Sequence, residues 1–112
     1  NPSEQEIRLI SIDNEDLWLY NVYNFPNPFS NHTKFTFELS SNADINIFLY
    51  TMGGKKINKL KYLNCQAGFH SIKWDGRNHY GNLIANGVYI YKIIAQNNNS
   101  KTNYIGKLAI YK

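Results

Sequence analysis

Thr33-Lys34-Phe35-Thr36-Phe37-Glu38-Leu39, followed after Ser40-Ser41-Asn42 by Ala43-Asp44-Ile45-Asn46-Ile47-Phe48-Leu49-Tyr50, decides the fold. In the first run Phe35, Phe37 and Leu39 alternate with Lys34, Thr36 and Glu38. Successive side chains of a strand point to opposite faces, so the three apolar residues share one face. The second run repeats the device, with Ile45, Ile47 and Leu49 set against Asp44 and Asn46. Phe48 and Tyr50 put aromatic rings on the polar side, which predicts partial cover there. The whole stretch reads as two strands joined by a short polar turn.

Working outward, the same grammar continues. Met52-Gly53-Gly54 supplies residues that accept positive φ, as a tight connection requires. Lys55 to Leu63 is a weaker strand, with Ile57 and Leu60 out of strict phase, so a bulge is expected. After the turn at Gln66-Ala67-Gly68, His70, Ile72 and Trp74 share one face, and Phe69, Ser71 and Lys73 the other. Val88 to Ala95, rich in Val, Ile and Tyr, is the most strand-like run. Asn97-Asn98-Asn99-Ser100 reads as a hairpin loop, and Tyr104 to Tyr111 as the final strand.

Toward the other end, Pro26 and Pro28 lock their own φ and push Phe25 and Asn27 toward extended geometry. No helix passes through them, and Leu17 to Tyr23 reads as extended. Ile7 to Ile12 is an apolar run broken by Asp13-Asn14-Glu15-Asp16. It reads as the last strand of a preceding domain or a lead-in strand of this one. The opening Asn1-Pro2-Ser3-Glu4 looks like a cut inside a longer protein. Residues 1–16 are therefore expected to be a linker or the end of a preceding domain, with the domain proper at 17–112. No segment carries a convincing helical period, so the fold class is all-β, an antiparallel β-sandwich of about seven strands.

The 112 residues leave room for one core, and an apolar content of 43% suffices to fill it. The net charge is +4. Lys55, Lys56, Lys59 and Lys61 only approach the clustering that a nucleic-acid surface needs, so no nucleic-acid partner is expected. No run reaches the roughly 18 apolar residues of a membrane-spanning helix. Cys65 is the lone cysteine, so no internal disulfide forms and packing alone must hold the fold. A reactive thiol would need a base, and His70 is the only histidine near it in sequence.

Two motifs stand about fifty residues apart. Pro26-Asn27-Pro28-Phe29 reads as a structural turn that leads into the sheet, with Phe29 or Phe25 closing the open end of the sandwich. In Trp74-Asp75-Gly76-Arg77, oxygens from Asp75, Asn78 and Asn82 suggest a cation loop, but only Asp75 carries charge where calcium wants several carboxylates. The simpler reading has Asp75 closing a turn, Gly76 taking an unusual φ and Trp74 plugging the core. His32, His70 and His79 lie on separate elements without zinc spacing. No catalytic constellation, metal or cofactor is expected. Tyr89 and Tyr91 share one face of their strand, which fits sandwich packing or a carbohydrate platform that Trp18 would join.

Together these residues resemble a known family. Phe25 to Phe29 match an opening Tyr/Phe-Pro-Asn-Pro-Phe. Phe35, Phe37 and Leu39 match an alternating strand, and Leu49 to Ile57 a strand ending in a Gly turn. Gly68, His70, Trp74, Asp75 and Gly76 match Gly-x-His-x-x-x-Trp-Asp-Gly. Gly87, Tyr89, Tyr91, Lys92 and then Lys107 to Lys112 match the closing strands. In this order, over about residues 17–112, they resemble the C-terminal secretion domains of the Bacteroidota type IX secretion system. The Ig-like domain of the flagellar hook-capping protein is related to them. The C-terminal domain of that system's cysteine-peptidase sortase looks similar, and other secreted peptidases and hydrolases carry such tails.

The resemblance implies an immunoglobulin-like sandwich that acts as a non-catalytic sorting signal. The attached protein would pass from the periplasm across the outer membrane to the cell surface. Implied partners are the type IX translocon, its outer-membrane shuttle protein and the sortase, met by a monomer. The expected handle is the terminal hairpin: Gly87, Val88, Tyr89, Tyr91, Lys92, Lys107, Leu108, Ile110 and Lys112. There an exposed edge beside lysines would accept a partner strand. A carbohydrate-binding module and a structural assembly module are the alternatives.

Overall fold

A computed structural model describes residues 17–112. The reading of Ile7–Ile12 lies outside the described residues. Seven strands follow one another: β1 Leu19–Phe25, β2 Thr33–Leu39, β3 Ala43–Thr51, β4 Lys56–Cys65, β5 Gly68–Trp74, β6 Gly87–Gln96 and β7 Lys101–Ile110. They form a three-stranded sheet in the order β1-β2-β5 and a four-stranded sheet in the order β4-β3-β6-β7. Every neighbouring pair is antiparallel. No helix occurs among the described residues, so none there is long and apolar enough to cross a membrane.

The alternating runs become the two halves of the core. Phe35, Phe37 and Leu39 on β2, and Ile45, Ile47 and Leu49 on β3, are all buried. Each such side chain contributes about 1.5–3 kcal/mol by leaving water. Ile93 and Ala95 from β6, with Leu108 and Ile110 from β7, complete the inner face of the larger sheet. Phe48 and Tyr50 lie half-buried on the outer face, stacked with ring centroids 6.2 Å apart.

The irregularities also have local causes. β4 pairs with β3 through register shifts at both ends, matching the phase break at Ile57 and Leu60. In the Met52-Gly53-Gly54 turn only Gly54 takes a positive φ. The turn is closed instead by Thr51, whose hydroxyl accepts the Lys55 amide at 3.1 Å. The last strand begins at Lys101, three residues before its apolar pattern does, because backbone pairing with β6 runs on to Gln96. Asn97 ends that hairpin by accepting the amides of Asn99 and Ser100 on its side-chain oxygen.

Candidate functional site

The two motifs meet in space. Phe29 is buried, and its ring packs edge-on to Trp74 with centroids 5.7 Å apart. Phe25, the other candidate for closing the sandwich, is exposed. A Cβ at Gly76 would stand 3.2 Å from the Phe29 ring, and Gly76 has a φ of 75°. Only glycine satisfies both demands without strain. Thr33, a buried polar residue at the start of β2, holds the other side of the turn. Its hydroxyl donates to the Pro26 carbonyl at 2.7 Å and accepts from Asn24 Nδ2 at 2.9 Å. The peptide bonds preceding Pro26 and Pro28 are cis.

From this anchorage the turn reaches β7. Asn27 Nδ2 donates to the Lys107 carbonyl at 3.0 Å, and Asn27 Oδ1 accepts the Ala109 amide at 3.0 Å. The side-chain amide thus stands in for a peptide group of a neighbouring strand. Phe29 continues the pattern with its own backbone, donating to Ala109 O and accepting from the Tyr111 amide. The chain's end is tied as well. The Lys112 amide donates to Asn86 Oδ1 at 3.1 Å, and Lys112 Nζ donates to Ile84 O at 2.8 Å.

These bonds correct the expectation of an open edge at Lys107–Lys112. Its backbone is already covered by Asn27 and Phe29, chain neighbours of the two prolines. Several of the handle residues named from sequence are interior. Tyr91, Leu108 and Ile110 are buried, and Tyr89 is half-buried with its hydroxyl on the Ala85 carbonyl at 2.7 Å. Gly87, Val88 and Lys107 are exposed, as is Lys112, and Lys92 is intermediate. The open part of the β7 edge is Lys101–Ile105.

Tyr91 points inward by strand alternation with Ile93 and Ala95, and its partner across the hairpin, Gly106, leaves room for the ring. A Cβ at Gly106 would fall 2.5 Å from the Tyr91 ring. The ring occupies the space a side chain would take. Burial and the neighbouring Tyr104 push the Tyr91 hydroxyl up to about 12, so it stays neutral at any physiological pH. A ring held this way offers no platform to a sugar.

The loop after β5 is bound to itself. Asp75 Oδ1 accepts the Arg77 amide at 3.2 Å, and Asp75 Oδ2 lies 3.5 Å from Arg77 Nε. Asn78 Oδ1 accepts the amides of Tyr80 and Asn82. Trp74 Nε1 and Asn58 Nδ2 both donate to the Arg77 carbonyl. The Asp75 and Asn78 side-chain oxygens that suggested a cation loop thus serve as turn acceptors. Among the described residues no three His, Cys, Asp or Glu side chains gather as a metal-holding group. The His70 ring is engaged with the Gln66 carbonyl at 2.6 Å and stacks on Phe37. Burial, with Asp44 nearby, pushes the Cys65 thiol up, away from the reactive thiolate.

A family model described as the FlgD Ig-like domain matches residues 25–99, more than half of the chain. The chain belongs to the FlgD Ig-like domain family. No curated protein sequence matches it. Among solved structures, this FlgD Ig-like chain is similar to dimeric latent PorU from Porphyromonas gingivalis, at 24% identity and a TM-score of 0.71. That likeness covers 84% of this chain and 9% of PorU. FlgD from P. aeruginosa is similar at 20% identity and a TM-score of 0.61, over 70% of this chain and 61% of that one. PorZ, an essential surface component of the type IX secretion system of P. gingivalis, is similar at 19% identity and 0.55, over 82% of this chain and 12% of PorZ. At these identities the likeness is one of fold.

Proposed function

We propose that this FlgD Ig-like chain is a non-catalytic C-terminal sorting domain that directs export of an attached protein across the outer membrane by type IX secretion. The observation that carries the reading is the clamp between Pro26–Phe29 and Lys107–Tyr111. The stretches that open and close the family resemblance are joined there into one unit. A label read by machinery must present its reading end in one shape, and a strand anchored by Leu108 and Ile110 does so. The fold shared with PorZ supports the system.

On this reading residues 17–112 are the sorting domain and 1–16 the linker or the end of a preceding domain. The domain passes the periplasm and reaches the cell surface as a monomer, meeting the translocon, the shuttle protein and the sortase. Its accessible docking residues are Gly87, Val88, Lys92, Lys107 and Lys112. The test fuses residues 1–112 to a periplasmic reporter in a host with type IX secretion. The reporter is expected at the surface or in the medium. A fusion that folds yet stays in the periplasm, at the level of the bare reporter, ends the proposal.

A second reading is favoured by the likeness to FlgD, which extends over 61% of that protein. There the domain would be a structural assembly module with no address to deliver. Parent genomes carrying flagellar genes and lacking type IX genes would decide for it.

A further inference from the structure

The larger sheet brings together a surface that no single strand carries. Across β4, β3, β6 and β7 the register sets Lys59, Phe48, Lys92 and Ile105 in one row on the outer face. The next row is Lys56, Tyr50, Ile90 and Lys107. Lys61 and Lys101 flank these rows opposite Asn46 and Gln96. Among the described residues the carboxylate on this face is Asp44, which accepts the Asn64 amide at 2.9 Å. Six lysines thus face it. The Lys56 and Lys59 ammonium groups lie over the π-face of Phe48, 5.4 and 5.5 Å from its ring centroid. Like charges gathered on one sheet face repel, so an anionic partner would relieve a cost that the fold itself carries.

This face runs out to the β7 edge. Ala109 and Tyr111 aim their backbone groups outward, toward Phe29. Strand parity gives the same direction to Lys101, Asn103 and Ile105, whose N–H and C=O groups have no backbone partner among the described residues. Nucleic acid or an anionic membrane can neutralise lysines, but neither matches an alternating row of donors and acceptors. An extended polypeptide does both.

We propose that this edge and face bind an acidic, extended segment of a partner protein. It adds as a fifth strand beside Lys101–Ile105 and sets its carboxylates against Lys101 and Lys107, with Lys92 one strand behind. The inference rests on the sorting-domain reading and names the chemistry of the reader. It also shifts recognition from the covered half of β7 to the open half.

The test uses the purified 1–112 chain and a fluorescent peptide of alternating Asp and Val, with a Lys-Val peptide as control, followed by anisotropy. The Asp-Val peptide is expected to bind, and 0.5 M salt to weaken it, as surface charge requires (a Debye length near 4–5 Å, on the order of half that at physiological salt). Lys101→Glu with Lys107→Glu should reduce affinity at least tenfold. Asn103→Pro should do the same, because it removes an outward N–H that β6 does not use. Circular dichroism checks that each variant is folded, and the lysine pair serves if the proline variant is not. Equal binding by wild type and the lysine pair overturns the proposal. So does tighter binding to a DNA duplex or to phosphatidylglycerol vesicles. So does binding that appears only once Glu4, Glu6, Asp13, Glu15 and Asp16 carry amides, since the chain's own leading segment would then be the occupant. No transport machinery is present in this assay. Peptide binding without reporter export therefore sinks the sorting role alone, and export without peptide binding sinks this inference alone.

Discussion

The two halves of the last strand meet different neighbours. From Lys107 to Tyr111 the outer edge of β7 is covered by the Asn27 side chain and the Phe29 backbone. From Lys101 to Ile105 it pairs with nothing among the described residues. Proteins blunt an exposed edge by covering it or by charging it. Here the devices are divided, with a proline-flanked turn over one half and lysines bracketing the other. The turn that leads into the sheet is thus also a lid, and the part of the strand with spare bonding capacity among the described residues lies next to it.

The contrast breaks most sharply at Phe29. Phe29→Ala removes the ring that packs on Trp74 and Gly76 and should cost about 3–5 kcal/mol in urea unfolding. A cost below about 1 kcal/mol would mean that the lid is not anchored in the core. Gly106→Ala comes next, at the boundary of the two halves. Its methyl meets the Tyr91 ring and should cost about 1–3 kcal/mol. Adding Tyr91→Ala should recover little, since it empties the same space, and a neutral Gly106→Ala would show that the hairpin opens freely there.

Asn27→Ala is smaller, about 1 kcal/mol, because the freed groups on β7 reach water. Its clearer signature is local: amide exchange at Ala109 should quicken while Ile93 stays protected. Uniform change at both positions would dissolve the distinction between the halves. Asn103→Pro should be the mildest, costing less than Asn27→Ala, because the N–H it removes faces away from β6 and edge strands admit proline there. A large loss there would reveal a bond on the open half.

Much of the architecture is legible in local pattern. The strict alternation of β2 and β3 marks six core residues, and the turn chemistry of Asp75, Gly76 and Asn97 can be read from residue type. What is not legible depends on distance and register. Asn27 bonds a strand 80 and 82 residues away, and nothing near it in sequence names that partner. The room for the Tyr91 ring depends on Gly106 across the hairpin. The lysine face depends on four strands and on a register shift between Leu49 and Tyr50, which brings Lys56 and Lys59 onto one side. Single-strand reading therefore saw scattered charge where the sheet makes a field.

The span of the Asn27–Ala109 contact has a consequence for synthesis. A ribosome delivers Asn27 and Phe29 long before the residues that will hold them. Until then Phe29 has no finished socket, and the nascent chain waits with an apolar ring unhoused. The domain therefore closes only on a message translated through its last strand, so a prematurely stopped product would lack its seal and be conspicuous to quality control.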